Sequence, residues 1–94
     1  MSKIFVILNP AAGSVKDVDA LIERIQHLPD VEVCLSAKAG AATKFARRAV
    51  RKGGEMIVAA GGDGTLNQVV NGLGEDAPGI VVGLIPLGTG NDFA

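Results

Sequence analysis

Three segments of the chain place glycine and small polar residues just behind an apolar run: Asn9-Pro10-Ala11-Ala12-Gly13, Gly61-Gly62-Asp63-Gly64-Thr65 and Gly88-Thr89-Gly90-Asn91-Asp92. The middle one, GGDGT, is the densest. Glycine weakens ordinary secondary structure, so it is kept where the backbone takes positive φ or where another group comes very close. A glycine-rich loop running into a helix suits phosphate: bare N–H groups can point at the oxygens, and the helix start adds about half a positive charge. The motif is not a P-loop, because no Gly-Lys-Ser or Gly-Lys-Thr is present. Neither Gly62-Asp63-Gly64 nor Gly88-Thr89-Gly90 has a glycine three residues on to complete G-x-G-x-x-G, which disfavours a dinucleotide-dependent oxidoreductase. A plainer reading stands beside the phosphate reading: Asp63 or Thr65 caps the following helix and the glycines make a tight turn.

The elements that carry these segments alternate. Ile4 to Leu8 is a continuous apolar run rich in β-branched residues, as expected of a strand covered on both faces. Val18, Leu21, Ile22, Ile25 and Leu28 recur at helical spacing, with Ser14 and Asp17 as caps and Pro29 as the stop. Val31 to Leu35, interrupted by Glu32, is more alternating, which suits an edge strand. Ala42, Phe45, Ala46, Ala49 and Val50 mark a second helix that ends at Gly53-Gly54. Met56 to Ala60 is a third strand, Leu66, Val69, Val70 and Leu73 mark a third helix closed by Gly74, and Ile80 to Ile85 is a fourth strand. Strand and helix alternating in this way predict a doubly wound parallel α/β sheet with right-handed crossovers, in the order two, one, three, four. In such a sheet the loops after strands one, three and four share the carboxyl edge, where open α/β folds bind ligands.

The 94 residues, 48% hydrophobic and 20% charged, suffice for one compact core. A net charge of -1 gives no field that would draw nucleic acid. The single cysteine, Cys34, excludes an internal disulfide and reads as a small core residue in a reducing compartment. Ile4 to Leu8 is too short for a signal h-region, and no apolar window reaches the length of a membrane span. The basic stripe Lys44, Arg47, Arg48, Arg51 and Lys52 reads as a solvated helix face rather than a lipid contact. His27 stands at a helix end with no Cys or carboxylate pattern around it.

Asn9-Pro10 with Gly13, then GGDGT-Leu66-Asn67, then Pro86-Leu87-Gly88-Thr89-Gly90-Asn91-Asp92-Phe93-Ala94 together resemble the amino-terminal domain of the diacylglycerol kinase and sphingosine kinase-like lipid kinases, in the bacterial-type branch. The resemblance covers residues 1–94, and three motifs in order are far more specific than any one. It implies a phosphofructokinase- and NAD kinase-like domain that binds ATP. In the family a second, mostly β domain follows, with much of the lipid pocket and further acidic residues for metal and catalysis. On that reading the chain is a fragment truncated at its carboxyl end. GGDGT also occurs in NAD kinases and, in related form, in phosphofructokinases; the segment from Pro86 to Ala94 argues for the lipid kinases over both.

Carried over residue by residue, the resemblance implies nucleotide contacts at Asn9, Pro10 and Gly13, at Gly61, Gly62, Asp63, Gly64, Thr65, Leu66, Asn67 and Gln68, and at Gly88, Thr89, Gly90, Asn91 and Asp92. Asp92 also suits a role in holding its own loop. Ser36 stands where the family usually has a threonine near the nucleotide. The sequence departs from the family at Gln68, commonly glutamate, and at Ala12, frequently serine. The implied reaction moves the γ-phosphoryl group of ATP to the hydroxyl of a diacylglycerol-like or sphingosine-like lipid. Mg2+ neutralises the phosphates and a carboxylate orients or deprotonates the hydroxyl. Asp63, framed by the phosphate-loop glycines, is the catalytic candidate; no residue is assigned as a metal ligand. The implied partners are ATP, a lipid, a second domain of the same chain and, transiently, a membrane surface met from the cytoplasm, and a homodimer is compatible with the reading. An NAD kinase-like domain and a noncatalytic nucleotide-binding module are the alternatives. The fragment alone is expected to bind ATP weakly and to be inactive on lipid.

Overall fold

The run Ile4–Leu8 forms β1, an inner strand whose side chains alternate between two apolar faces. A computed structural model of the chain describes residues 3–38, 40–74 and 79–87, apart from the side chains of Ala12 and Val15. After β1 come a 3-10 turn (Pro10–Ala12), α1 (Val15–Gln26), β2 (Val31–Leu35), α2 (Ala41–Arg51), β3 (Met56–Gly61), α3 (Asp63–Leu73) and β4 (Val81–Pro86). The four strands are parallel and lie in the order β2-β1-β3-β4, as the sequence pattern predicts.

Both faces of the sheet are covered, which explains why β1 and β3 are continuously apolar. Phe5, Ile7, Ile57 and Ala59 meet Ala42, Ala46 and Ala49 of α2 and Val69 of α3. Val6, Leu8, Val58 and Ala60 face the other way, toward Val18 and Ile25 of α1. Strand β2, at the edge, is only half-buried. The contact between α2 and α3 is backbone-close: a Cβ on Gly72 would overlap the Thr43 carbonyl oxygen. Beside it the Thr43 hydroxyl donates to the Gln68 carbonyl at 2.9 Å. This crossing fixes the rotation of α3 as well as its distance.

Three sequence expectations need correction. Leu28 lies beyond α1 and is 53% exposed, because Pro29 disfavours helical backbone at the residue before it and the helix ends at Gln26. Val70 is 50% exposed: Gly72 must face α2, and this turns Val69 inward and Val70 out. The fourth strand runs one residue later than expected and includes Pro86, which lies opposite Gly61. Ser14 does cap α1, accepting from the Asp17 N–H at 3.1 Å.

Candidate functional site

The parallel strands all end at one edge, and three backbone hydrogen bonds carry the ladder past the strand ends. Asn9 N–H donates to the Ala60 carbonyl at 2.9 Å, Ser36 N–H to the Leu8 carbonyl at 2.8 Å and Leu87 N–H to the Gly61 carbonyl at 3.1 Å. The starts of the loops after β1, β2 and β4 are thereby fixed relative to one another and to GGDGT. Gly88, Thr89, Gly90, Asn91 and Asp92, expected at this edge, lie outside the described residues.

Within GGDGT the three glycines differ. Gly61 closes β3, and a Cβ there would overlap the hydroxyl of Thr65, which is 4% exposed. Packing accounts for Gly61. Gly62 is the N-cap of α3 at φ -109, and a Cβ added at Gly62 or Gly64 would meet nothing within 4 Å. Among the described residues neither positive φ nor crowding explains these two, and both border open space. The capping reading of Asp63 and Thr65 also fails, since α3 has no side-chain cap hydrogen bond. Asp63 is instead an exposed residue of the first turn, where the helix dipole favours a carboxylate. The first N–H groups of α3 have no carbonyl four residues back within the helix to bond, and among the described residues no side chain takes that place.

A cleft of ≈ 210 Å³ at this edge brings together Asn9, Ser36, Thr65 and Gln68, four of the expected site residues, with Lys38 and Ala42. The Asn9 Oδ1 accepts from the Ala11 N–H at 3.0 Å, which leaves its amide NH2 as the donor. The Ser36 hydroxyl, almost fully buried, donates to the Leu8 carbonyl at 3.3 Å and so is left with lone pairs that accept. Pro10 begins the 3-10 turn and Gly13 ends it. Leu66 packs against the core beneath α2 and α3, so that toward the edge it offers backbone; Asn67 is exposed on α3. Lys38 was missing from the sequence reading. The topological argument reaches it, because a loop after β2 shares the same edge, but that loop lacks the glycine-rich signature that drew attention to the others.

Among the described residues no three His, Cys, Asp or Glu side chains gather as a metal cluster, and no helix is long and apolar enough to cross a membrane. The donor set at the edge suits an anion that carries its own cation, with Asp63 as the carboxylate nearby. His27 caps the far end of α1. Cys34 is half-buried in β2; burial, and secondarily Glu32, push its thiol pKa up. In the basic stripe Arg48 and Arg51 occupy the last turn of α2, where cations complement the helix end, and Lys52 lies 3.8 Å from Glu32.

Residues 3–94 match the family model described as diacylglycerol kinase catalytic domain. The chain belongs to the diacylglycerol kinase catalytic domain family. A diacylglycerol kinase of Staphylococcus haemolyticus is 39% identical over 94 residues, which cover 94% of this chain and 28% of the relative. One of Staphylococcus carnosus is 40% identical over 99 residues, covering 94% and 30%. The crystal structure of a diacylglycerol kinase from Bacillus anthracis superposes with a TM-score of 0.77 at 31% identity, over 98% of this chain and 35% of that one. The solution structure of a phosphate-loop protein, 23% identical with a TM-score of 0.64 over 98% of this chain and 82% of its own, shares the fold. This diacylglycerol kinase family chain thus spans about a third of the length of the relatives it matches.

Proposed function

We propose that the chain is the ATP-binding part of a lipid kinase that transfers the γ-phosphoryl group to a lipid hydroxyl, with diacylglycerol, the substrate in the relatives' names, as the acceptor. The observation that carries this reading is the uncapped start of α3, with Gly62 and Gly64 facing open space and Asp63 beside them, on the edge that also holds Asn9 and Ser36. Phosphates bind where the free N–H groups of α3 and the positive helix end meet them. Asn9 contributes amide donors, and Ser36 contributes an acceptor suited to a ribose hydroxyl or a base amino group.

In the transfer, the lipid hydroxyl oxygen forms a bond to the γ-phosphorus while the bond from that phosphorus to the β,γ-bridging oxygen breaks, and ADP leaves. Mg2+ carried by the phosphates supplies neutralisation of the charge that develops. Asp63 orients the hydroxyl and accepts its proton, or holds the metal-bound phosphates in place. The lipid pocket and further acidic groups belong to a second domain of the longer protein, which meets the membrane surface transiently from the cytoplasm.

Calorimetric titration of the chain with Mg-ATP, beside a lipid-dependent turnover assay of the chain and of the longer protein, tests the reading. Weak saturable binding by the chain with turnover only in the longer protein is expected. Failure of the longer protein to consume ATP with diacylglycerol in vesicles would sink it.

A further inference from the structure

We infer that Thr43 is a positioning residue for the nucleotide, setting the separation between two walls of the cleft; the inference rests on the nucleotide reading of the edge. One wall is the loop after β2 with the start of α2, carrying Ser36, Lys38 and Ala42, and the facing one is α3, carrying Thr65 and Gln68. Thr43 does not line the cleft itself. Its chain neighbour Ala42 does so on one side, and its hydrogen-bond acceptor Gln68 on the other. The 2.9 Å bond from the part-buried Thr43 hydroxyl to the Gln68 carbonyl therefore ties wall to wall.

Thr43 meets α3 at two points. Its carbonyl oxygen occupies the place that a Cβ on Gly72 would take, and its hydroxyl reaches Gln68, about one helical turn earlier. A single residue of α2 thus grips a turn of α3, which holds that helix against sliding along its axis as well as against rotation. Hydrogen-bond satisfaction does not require the bond, because the Gln68 carbonyl has the Gly72 N–H as its partner in the helix ladder. A threonine hydroxyl has one hydrogen to give, and Thr43 gives it to the neighbouring helix rather than to the preceding turn of its own. Locally it is a weaker helix former than Ala41 and Ala42 before it. What it supplies is the register between two helices. That register matters to a ligand that places its phosphates at the start of α3 and its ribose or base at Ser36, since groups that act on one bound molecule tolerate displacements of only about 1 Å.

The test is steady-state kinetics of the longer protein with diacylglycerol in vesicles, comparing wild type with Thr43→Val, Thr43→Ala and Thr43→Ser. Valine and alanine remove the hydroxyl; serine keeps it. Unfolded enzyme lowers the maximal rate but not KM, so KM reads the site in the molecules that are folded. Thr43→Val and Thr43→Ala are expected to raise KM for Mg-ATP about three- to tenfold, the worth of one hydrogen bond, and to leave KM for the lipid unchanged. Thr43→Ser keeps KM for Mg-ATP within about twofold of wild type. An unchanged KM for Mg-ATP in the valine and alanine variants, whatever happens to Tm, overturns the inference. So does a serine variant that behaves like valine, or a lipid KM that rises as much as that for Mg-ATP. In each of these cases wild type still saturates with Mg-ATP, and the nucleotide reading stands. If wild type shows no saturable use of Mg-ATP, that reading falls and the positioning role with it.

Discussion

At the amino end of the strands Gly53 takes φ +79 in the turn after α2, and Gly54 lies under the Phe5 ring, where a Cβ would come within 2.8 Å of a ring carbon. At the carboxyl end Gly62 and Gly64 have neither a positive φ nor a neighbour within 4 Å of such a Cβ. The amino-end pair is fully accounted for by the fold. Its surroundings are ordinary too, with Glu32 between Lys3 at 3.6 Å and Lys52 at 3.8 Å. Among the described residues nothing in the fold accounts for the carboxyl-end pair, and open space at this edge is what the proposed nucleotide needs. Glycine alone therefore says little about function; the informative quantity is what a side chain there would have met.

The most severe test of this contrast is at Asp63. In the longer protein Asp63→Asn and Asp63→Ala are both expected to lower lipid-dependent turnover about 100-fold or more, the scale of losing a positioned acid or base. Since Asp63 caps nothing, both variants forfeit the same first-turn dipole interaction, about 0.3–1 kcal/mol, and their unfolding curves should nearly coincide. Near-wild-type turnover in either would remove Asp63 from the chemistry.

Next in size is the effect of a methyl group at each end. Gly54→Ala forces Phe5 or the backbone to shift and should cost about 1–3 kcal/mol in denaturant unfolding without altering nucleotide affinity beyond the loss of folded protein. Gly64→Ala, inside the first turn of α3, should gain up to about 1 kcal/mol from helix propensity and yet weaken Mg-ATP, since the methyl occupies the open side. Equal behaviour of the two variants would erase the distinction.

The smallest effect belongs to Glu32. Its carboxylate is partly exposed, so Glu32→Gln should cost at most about 1 kcal/mol, less in high salt. The same change lowers the Cys34 pKa, because Glu32 helps to raise it, and thiol alkylation should become faster. A thiol pKa raised by folding supports stability below the unfolded value. That support is lost as pH climbs through the folded value, so the alkaline limb of the stability profile should flatten in the variant.

The strand order was legible because burial writes itself into composition: β1 and β3, covered on both sides, are uninterrupted apolar runs, while β2 alternates at the edge. The position of GGDGT at the carboxyl edge followed from the strands being parallel. Periodicity overreached at Leu28 and Val70, since it marks apolar spacing and not where a helix stops or how a neighbour rotates it. The stop came from Pro29 and the rotation from Gly72 against Thr43. Lys38 was invisible for a related reason. What brings it to the site is the cleft, whose opposite wall, with Asn9, Thr65 and Gln68, comes from residues far away in sequence.

The pairing of β1 with β3 also sets the order of events during synthesis. Ile4 lies opposite Met56, some 52 residues later, whereas β2 arrives after about half that length. At about 5–20 residues per second, one side of Ile4–Leu8 stays without its partner for roughly 3–10 s after the strand is made. During that interval five consecutive apolar residues present an open strand edge to the cell, so the yield of folded protein depends on whatever shields that edge until β3 emerges.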